Sequence, residues 1–390
     1  MKRLLSALLV VINVFLLVSC SSSSGPKLDV EDQLGKMKTA DNIYYSENKD
    51  YESAINWLKY EVEEAGFKGT LIVATDDEIL FASGARALDI DGNEVTPYTT
   101  YEIGSCSKAF VAVCIMKLIE DGKLKMTDTL GDLFPDYSSY PNYEDVSKIT
   151  ISDLLHMRSG LIDYIDRPDL FLGEERVYEL LGSDPVKYTW AEAYRIMEPV
   201  ITDELFMELV FTNDLDFEPD SQYSYCNSNY HLLALLIEKI SGRSYAEYVN
   251  EIVFEPCKMT YTSAVSSGDV TAAFEYEAEY DYLKDPKFLK GAGDIHTNAV
   301  DMIKFDRALF GGYLLNEDSM ELMLTFIDDY GCGWTKIHGN TGHTGALPRF
   351  LTSNCVIEKD GKKIYVLSFT TLHENKRDML VENLNRIIRD

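Results

Sequence analysis

A chain of 390 residues with 46% hydrophobic content carries enough apolar material for a sizeable core in one large domain or two, which excludes disorder as its default state. A formal net charge of −29 argues against nucleic acid as a partner, and an acidic surface of this kind serves solubility. No Cys-x-x-Cys and no His-Glu-x-x-His occurs, so neither a metal nor another cofactor is expected.

Lys2 and Arg3 precede an apolar stretch from Leu4 to Val18, the pattern of an export signal over residues 1–19. That stretch is shorter than the ~20 residues that span a bilayer. Leu17-Val18-Ser19-Cys20 resembles the bacterial lipobox, which implies cleavage before Cys20 and a diacylglycerol on its sulfur. The mature protein is then expected on the cell envelope, held to the membrane through Cys20; plain secretion with an incidental cysteine is the simpler alternative. Residues 20–48 read as a tether that opens with the serine-glycine run Ser21 to Pro26. The remaining cysteines, Cys106, Cys114, Cys226, Cys257, Cys332 and Cys355, form no disulfide framework and are expected mostly as buried thiols.

Tyr51 to Gly66 has the spacing of an amphipathic helix, with Ile55, Leu58 and Val62 on one face. Gly69 to Ala74 and Glu78 to Ser83 alternate like two strands joined by Thr75-Asp76-Asp77. A long apolar run, Ala109 to Ile119, follows Ser105, and a further helix starts near Thr150 or Ser152 and stops at Ser159-Gly160. Leu161 to Asp220 is irregularly helical and is expected to shape a pocket, with Trp190, Tyr194 and Met197 as a packing stripe. Helices are expected over Ser228 to Ile240, Tyr245 to Phe254 and Asn298 to Phe310. Gly331 to Ile337, Phe350 to Ile357 and Ile364 to Thr370 then read as strands, the last two joined at Asp360-Gly361, before a helix from Asn375 to Ile388.

Strands at both ends and helices between them point to an α+β fold: an antiparallel sheet flanked by terminal helices, with an inserted helical subdomain. One domain over 49–390 is expected, its sheet part at about 49–104 and 291–390 and its helical part at about 105–290.

Ser-x-x-Lys occurs at Ser24, Ser46 and Ser105, but only Ser105 opens a long helix. There, spacing of three residues puts Lys108 on the same face as the hydroxyl. A serine hydroxyl becomes a useful nucleophile when a neighbouring base takes its proton, and burial lowers a lysine pKa toward that role. Two later stretches can complete the chemistry: Phe217 to Tyr230, containing Tyr225-Cys226-Asn227, and Gly342 to Phe350, containing His343-Thr344-Gly345-Ala346.

With Ser105-x-x-Lys108, Tyr225-x-Asn227 and His343-Thr344-Gly345 in that order, the chain resembles the serine beta-lactamase and penicillin-recognising superfamily, specifically its class C branch of D-alanyl-D-alanine carboxypeptidases and related esterases. Leu154 to Leu161 and Gly291 to Thr297 support the resemblance, which runs from about Tyr51 to the C-terminus. It implies that Ser105 is the acylated nucleophile, that Lys108 shares its proton, and that Tyr225 acts as acid or base toward the leaving group and then water. Asn227 would hold the substrate amide, His343, Thr344 and Gly345 would line the binding strand, and the backbone N–H groups of Ser105 and Ala346 would form an oxyanion hole.

His343 carries charge only when protonated, its reference pKa being ~6.5, so it holds a substrate carboxylate weakly at neutral pH. That suits a carboxypeptidase or esterase better than an efficient beta-lactamase. Asp294 adds negative charge beside the expected cleft, where Arg349 could compensate. The resemblance assigns no role to His156, His231, His296, His338 or His373, which are expected to be packed or exposed. The expected function is a serine hydrolase acting through an acyl-enzyme on an amide or ester: a D-amino acid peptide, a beta-lactam or a small ester, with cell-wall material as one source. The alternative is a non-catalytic envelope protein that binds cell-wall peptides or a protein partner.

Overall fold

The computed structural model describes residues 25–89, 92–181, 198–264, 287–347, 351–370 and 374–389. The leader, Cys20, the stripe of Trp190, Tyr194 and Met197, Arg349 and His373 lie outside the described residues.

In chain order the strands are β1 (Lys38–Ala40), β2 (Ile43–Tyr45), β3 (Gly69–Thr75), β4 (Ile79–Ala85), β5 (Tyr101–Glu102), β6 (Ser263–Ala264), β7 (Ile295–Thr297), β8 (Thr335–Ile337), β9 (Asn340–Ala346), β10 (Leu351–Lys359) and β11 (Lys362–Thr370). Eight of them form one antiparallel sheet in the order β1-β2-β4-β3-β11-β10-β9-β8, and the others a small sheet, β5-β7-β6. Both expected hairpins are present, β3 with β4 and β10 with β11. At the latter turn Asp360 and Gly361 have φ of 52° and 75°, the left-handed pair that a two-residue connection requires. Because β3 pairs with β11, with Val73 opposite Val366, the two ends of the chain meet mid-sheet and the helical region is inserted between them.

Strand alternation gives the sheet two different faces. Leu71, Val73, Phe81 and Val366 pack on one side against Leu58 and Val62 of the helix Glu52–Glu63 and Leu380 and Leu384 of the helix Glu374–Arg389. Ile72, Ala82, Tyr365 and Leu367 point the other way, into a larger core shared with the helices Lys108–Glu120, Asn227–Ser241 and Ala299–Phe310. The Lys108–Glu120 helix is apolar nearly all round and accordingly buried.

Two expectations change. The fold begins well before residue 49: Val30 and Leu34 enter the core, and β1 and β2 extend the sheet beside β4. The strand expected over 331–337 is confined to β8, because Gly333 takes a positive φ of 75° where Tyr330, Cys332 and Trp334 are buried. The stretch containing His343 is itself a strand, β9, with His343 opposite Asn354 on β10. Between the sheet's halves, Pro168–Leu172, Glu174–Leu181 and Asp203–Thr212 are helical. Thr150, rather than Ser152, caps the helix Ile151–Leu155, through a capping box with Asp153.

Candidate active site

From β5 the chain enters a tight 3₁₀ turn, Gly104–Ser107, before the helix proper begins at Lys108. Residues three apart eclipse one another in such a turn, which aligns Lys108 with Ser105. The Lys108 Nζ lies 3.1 Å from Ser105 Oγ, 2.9 Å from Asn227 Oδ1 and 2.7 Å from the Ala292 carbonyl oxygen. Lys108 is fully buried, and burial pushes its amine down to about 7 against the upward pull of Asp163 and Asp166. A substantial neutral fraction therefore exists near neutral pH. Two of its neighbours are carbonyl oxygens, which can only accept, so they take the two N–H groups of the neutral amine. The lone pair is left facing the Ser105 hydroxyl.

Tyr225 stands on the other side of the amine, its ring centroid 5.0 Å from Lys108 Nζ. Burial pushes its phenol well above 10, an effect moderated by the nearby Ser105 hydroxyl. The two hydroxyls are neighbours without meeting hydrogen-bond geometry, and the phenol oxygen has no bonded partner among the described residues. Tyr225 thus stays protonated at neutral pH and is equipped to donate a proton, whereas Lys108 is equipped to accept one.

Asn227 opens the helix Asn227–Ser241, and its amide is oriented by a residue that the motifs did not single out. Asp163 Oδ2 accepts from both the Asn227 backbone N–H, at 2.5 Å, and Asn227 Nδ2, at 2.9 Å. Its Oδ1 accepts from Ile165 N and Asp166 N at 2.8 and 2.9 Å. The sequence signal was an acid set between Ile162 and Tyr164 just after Ser159-Gly160.

β9 closes the other side of the cleft. A Cβ at Gly345 would lie 2.0 Å from the Ile103 carbonyl oxygen and 3.3 Å from Ser105 N; one at Gly104, where φ is +52°, would lie 3.2 Å from Ala346 N. Only glycine permits this approach at Gly345, and it brings the backbones carrying the Ser105 and Ala346 N–H groups together. Thr344 is partly exposed along the strand.

His343 is placed on this strand but is 4% exposed, with both ring nitrogens engaged. Nδ1 lies 2.6 Å from the Thr344 carbonyl oxygen and must donate to it, while Nε2 lies 3.2 Å from Tyr330 Oη. A substrate carboxylate would have to displace one of these partners. Tyr330, also buried and edge-on to both His343 and Tyr225, is the second residue the motifs missed.

Asp294 is buried rather than exposed to the cleft, and Oδ1 accepts from Gly291 N at 3.1 Å. Burial pushes its carboxyl up to about 7, so the negative charge expected there is partly quenched by protonation at neutral pH. Its turn presents the Ala292 carbonyl to Lys108. His156 bonds to the Ser152 and Thr325 carbonyls, His231 stacks on Phe206 with centroids 4.0 Å apart, and His338 is exposed. Cys106, Cys114, Cys226, Cys257, Cys332 and Cys355 are all buried.

The Beta-lactamase family model matches residues 56–384. The chain is 29% identical over 343 residues to the Bacillus subtilis protein PbpX, an alignment covering 84% of this chain and 75% of that one. It spans 65% and 64% of the length of two further curated relatives. Among solved structures, a penicillin binding protein from Bacillus halodurans has a TM-score of 0.62 at 22% identity, covering 88% of this chain and 100% of that one. The D-amino acid amidase from Ochrobactrum anthropi SV3 has a TM-score of 0.64 at 19% identity, covering 87% and 98%. The expected α+β architecture is the one these structures share, and the chain belongs to the Beta-lactamase family, within the serine beta-lactamase and penicillin-binding superfamily of hydrolases.

Proposed function

We propose that the protein hydrolyses amides or esters through an acyl-enzyme on Ser105, with D-amino acid peptides or amides and small esters preferred over beta-lactams. The observation that carries this reading is the Lys108 amine, lowered to about 7 by burial and 3.1 Å from Ser105 Oγ. Neutral Lys108 takes the Ser105 proton as Oγ bonds to the substrate carbonyl carbon. The C=O π pair moves onto oxygen, between the N–H groups of Ser105 and Ala346. Collapse of this intermediate breaks the bond to the leaving amine or alcohol, which takes a proton from Tyr225, and Tyr225 is reprotonated from Lys108. Water then repeats the addition and frees the acid and Ser105.

The committed His343 ring favours substrates without a demanding carboxylate at that point, and the structural likeness to a D-amino acid amidase points the same way. The lipobox-like Cys20 supports an exported protein anchored to the cell envelope, near cell-wall peptides. Labelling with a fluorophosphonate and a fluorescent penicillin is the direct test. Wild type should be labelled and Ser105→Ala should not; equal labelling would sink the reading in favour of a non-catalytic binding protein. Palmitate incorporation lost in Cys20→Ala would check the anchor.

A further inference from the structure

The three contacts of Lys108 have an order that depends on one remote carboxylate. An amide side chain can face a neighbour with its oxygen or, after rotation by half a turn, with its NH₂. Facing oxygen, Asn227 consumes an N–H of Lys108; facing NH₂, it would compete for the amine's lone pair. The orientation is settled by Asp163, a carboxylate that can only accept and that holds Asn227 Nδ2 at 2.9 Å. Asp163 is 5% exposed, and its other hydrogen bonds among the described residues go to Asn227 N, Ile165 N and Asp166 N.

We infer that Asp163 is a positioning residue for acylation of Ser105: by holding the Asn227 amide nitrogen it points the Asn227 oxygen at Lys108 and so directs the lone pair of the neutral amine at the Ser105 hydroxyl. This rests on the hydrolase reading above and adds to it a residue that acts through two others. Asp163 also sets the field at the amine. The other charged or titratable groups facing Lys108 are Asp166 from the same loop, Cys106 from its own turn, Tyr225 and Cys226 from the segment entering the Asn227 helix, Tyr230 from that helix, and Asp294 from the Gly291 turn. Of the two acids that raise the Lys108 pKa, Asp163 is the stronger and the buried one; Asp166 is solvent-exposed, yet partial burial of its carboxyl and the neighbouring Asp163 push it up to about 6.

The test pairs a titration with a rate. In full-length protein carrying lysine labelled with ¹³C at Cε, the Lys108 resonance, identified by its loss in Lys108→Met, should titrate near pH 7. In Asp163→Asn the midpoint should fall by about one unit, because a neighbouring negative charge is gone. The limiting rate of fluorophosphonate labelling, above that midpoint, should fall by roughly 10- to 100-fold, because Asn227 loses its fixed acceptor. Asp163→Glu keeps the charge but displaces its oxygens by one methylene: the midpoint should hold while the limiting rate drops, and it serves if the asparagine variant does not fold. Asp166→Asn should move the midpoint in the same direction but by less than Asp163→Asn, because its pull on the amine is the weaker of the two.

An unmoved midpoint in Asp163→Asn, or an unchanged limiting rate in Asp163→Glu, overturns the inference. A rate loss in Asp163→Asn without a midpoint shift makes Asp163 a packing residue and overturns it too. Wild type that titrates normally yet resists labelling refutes the hydrolase reading instead.

Discussion

The two faces of the eight-stranded sheet are built to different ends. On the outer face, Leu58, Val73, Phe81, Val366 and Leu384 make an ordinary apolar cluster between the sheet and the terminal helices. On the inner face the core is larger, yet it buries Lys108, Asp163, Asp294 and Asp306 among its apolar side chains. Desolvating such groups opposes folding unless each finds a partner. The difference teaches that the outer face supplies stability while the inner face buries titratable groups, with burial shifting the proton affinities of Lys108, Asp294 and Asp306.

Breaking the inner face at its base should have the largest effect. Lys108→Met should slow Ser105 labelling by about a thousandfold, the scale of a lost general base; a loss under tenfold would move the base elsewhere. Truncation on the outer face should do the reverse. Leu384→Ala should cost about 3 kcal/mol in chemical denaturation, with the labelling rate of the folded fraction within about twofold of wild type. If that rate collapses, the two faces are not separable.

At the seam between them, Gly345→Ala should lower the labelling rate by about a hundredfold, the typical effect of losing one oxyanion donor. The added methyl would collide with the Ile103 carbonyl and push Ala346 away from Ser105. Full activity in this variant would remove Ala346 from the oxyanion site.

The smallest effect sharpens the comparison through pH. Burial raises Asp306 from 3.8 to about 8, with Asn354 Nδ2 bonded to Oδ1 at 2.9 Å. The folded state therefore holds this proton more tightly than the unfolded state. Its stabilising contribution is complete below pH 3.8 and is lost as pH rises through about 8. Relative to Asp306→Asn, whose curve should be flat, wild type should lose stability steadily across that window, measured by urea unfolding at several pH values. Parallel curves for the two proteins would mean that Asp306 is already ionised in the fold.

Reading the sequence worked where the signal was local. Ser105 and Lys108 lie within one turn, and Tyr225 and Asn227 flank one buried cysteine, so their adjacency survives in the chain itself. Hairpins such as β3 with β4 carry apolar residues that declare a strand. By contrast, β1 is Lys38-Thr39-Ala40, exposed throughout, and nothing in three such residues distinguishes a strand from a linker. β9 reads Asn-Thr-Gly-His-Thr-Gly-Ala, in which only the two threonines favour a strand, and it pairs with β10. Asp163 and Tyr330 reach the site only through tertiary packing, 64 residues from Asn227 in one case and 13 from His343 in the other. His343 was found by its motif, but its commitment to Tyr330 and Thr344 could not be read from spacing.

The contact at Lys27 has a consequence for reach. The Lys27 carbonyl is bound by Arg307 Nη1 at 2.9 Å, so the chain is already fastened to the domain there. With a lipid on Cys20, only about seven residues would separate the membrane surface from that fastening, at most roughly 25 Å fully extended. On the anchored reading proposed above, a leash this short would keep the cleft within about one domain diameter of the bilayer.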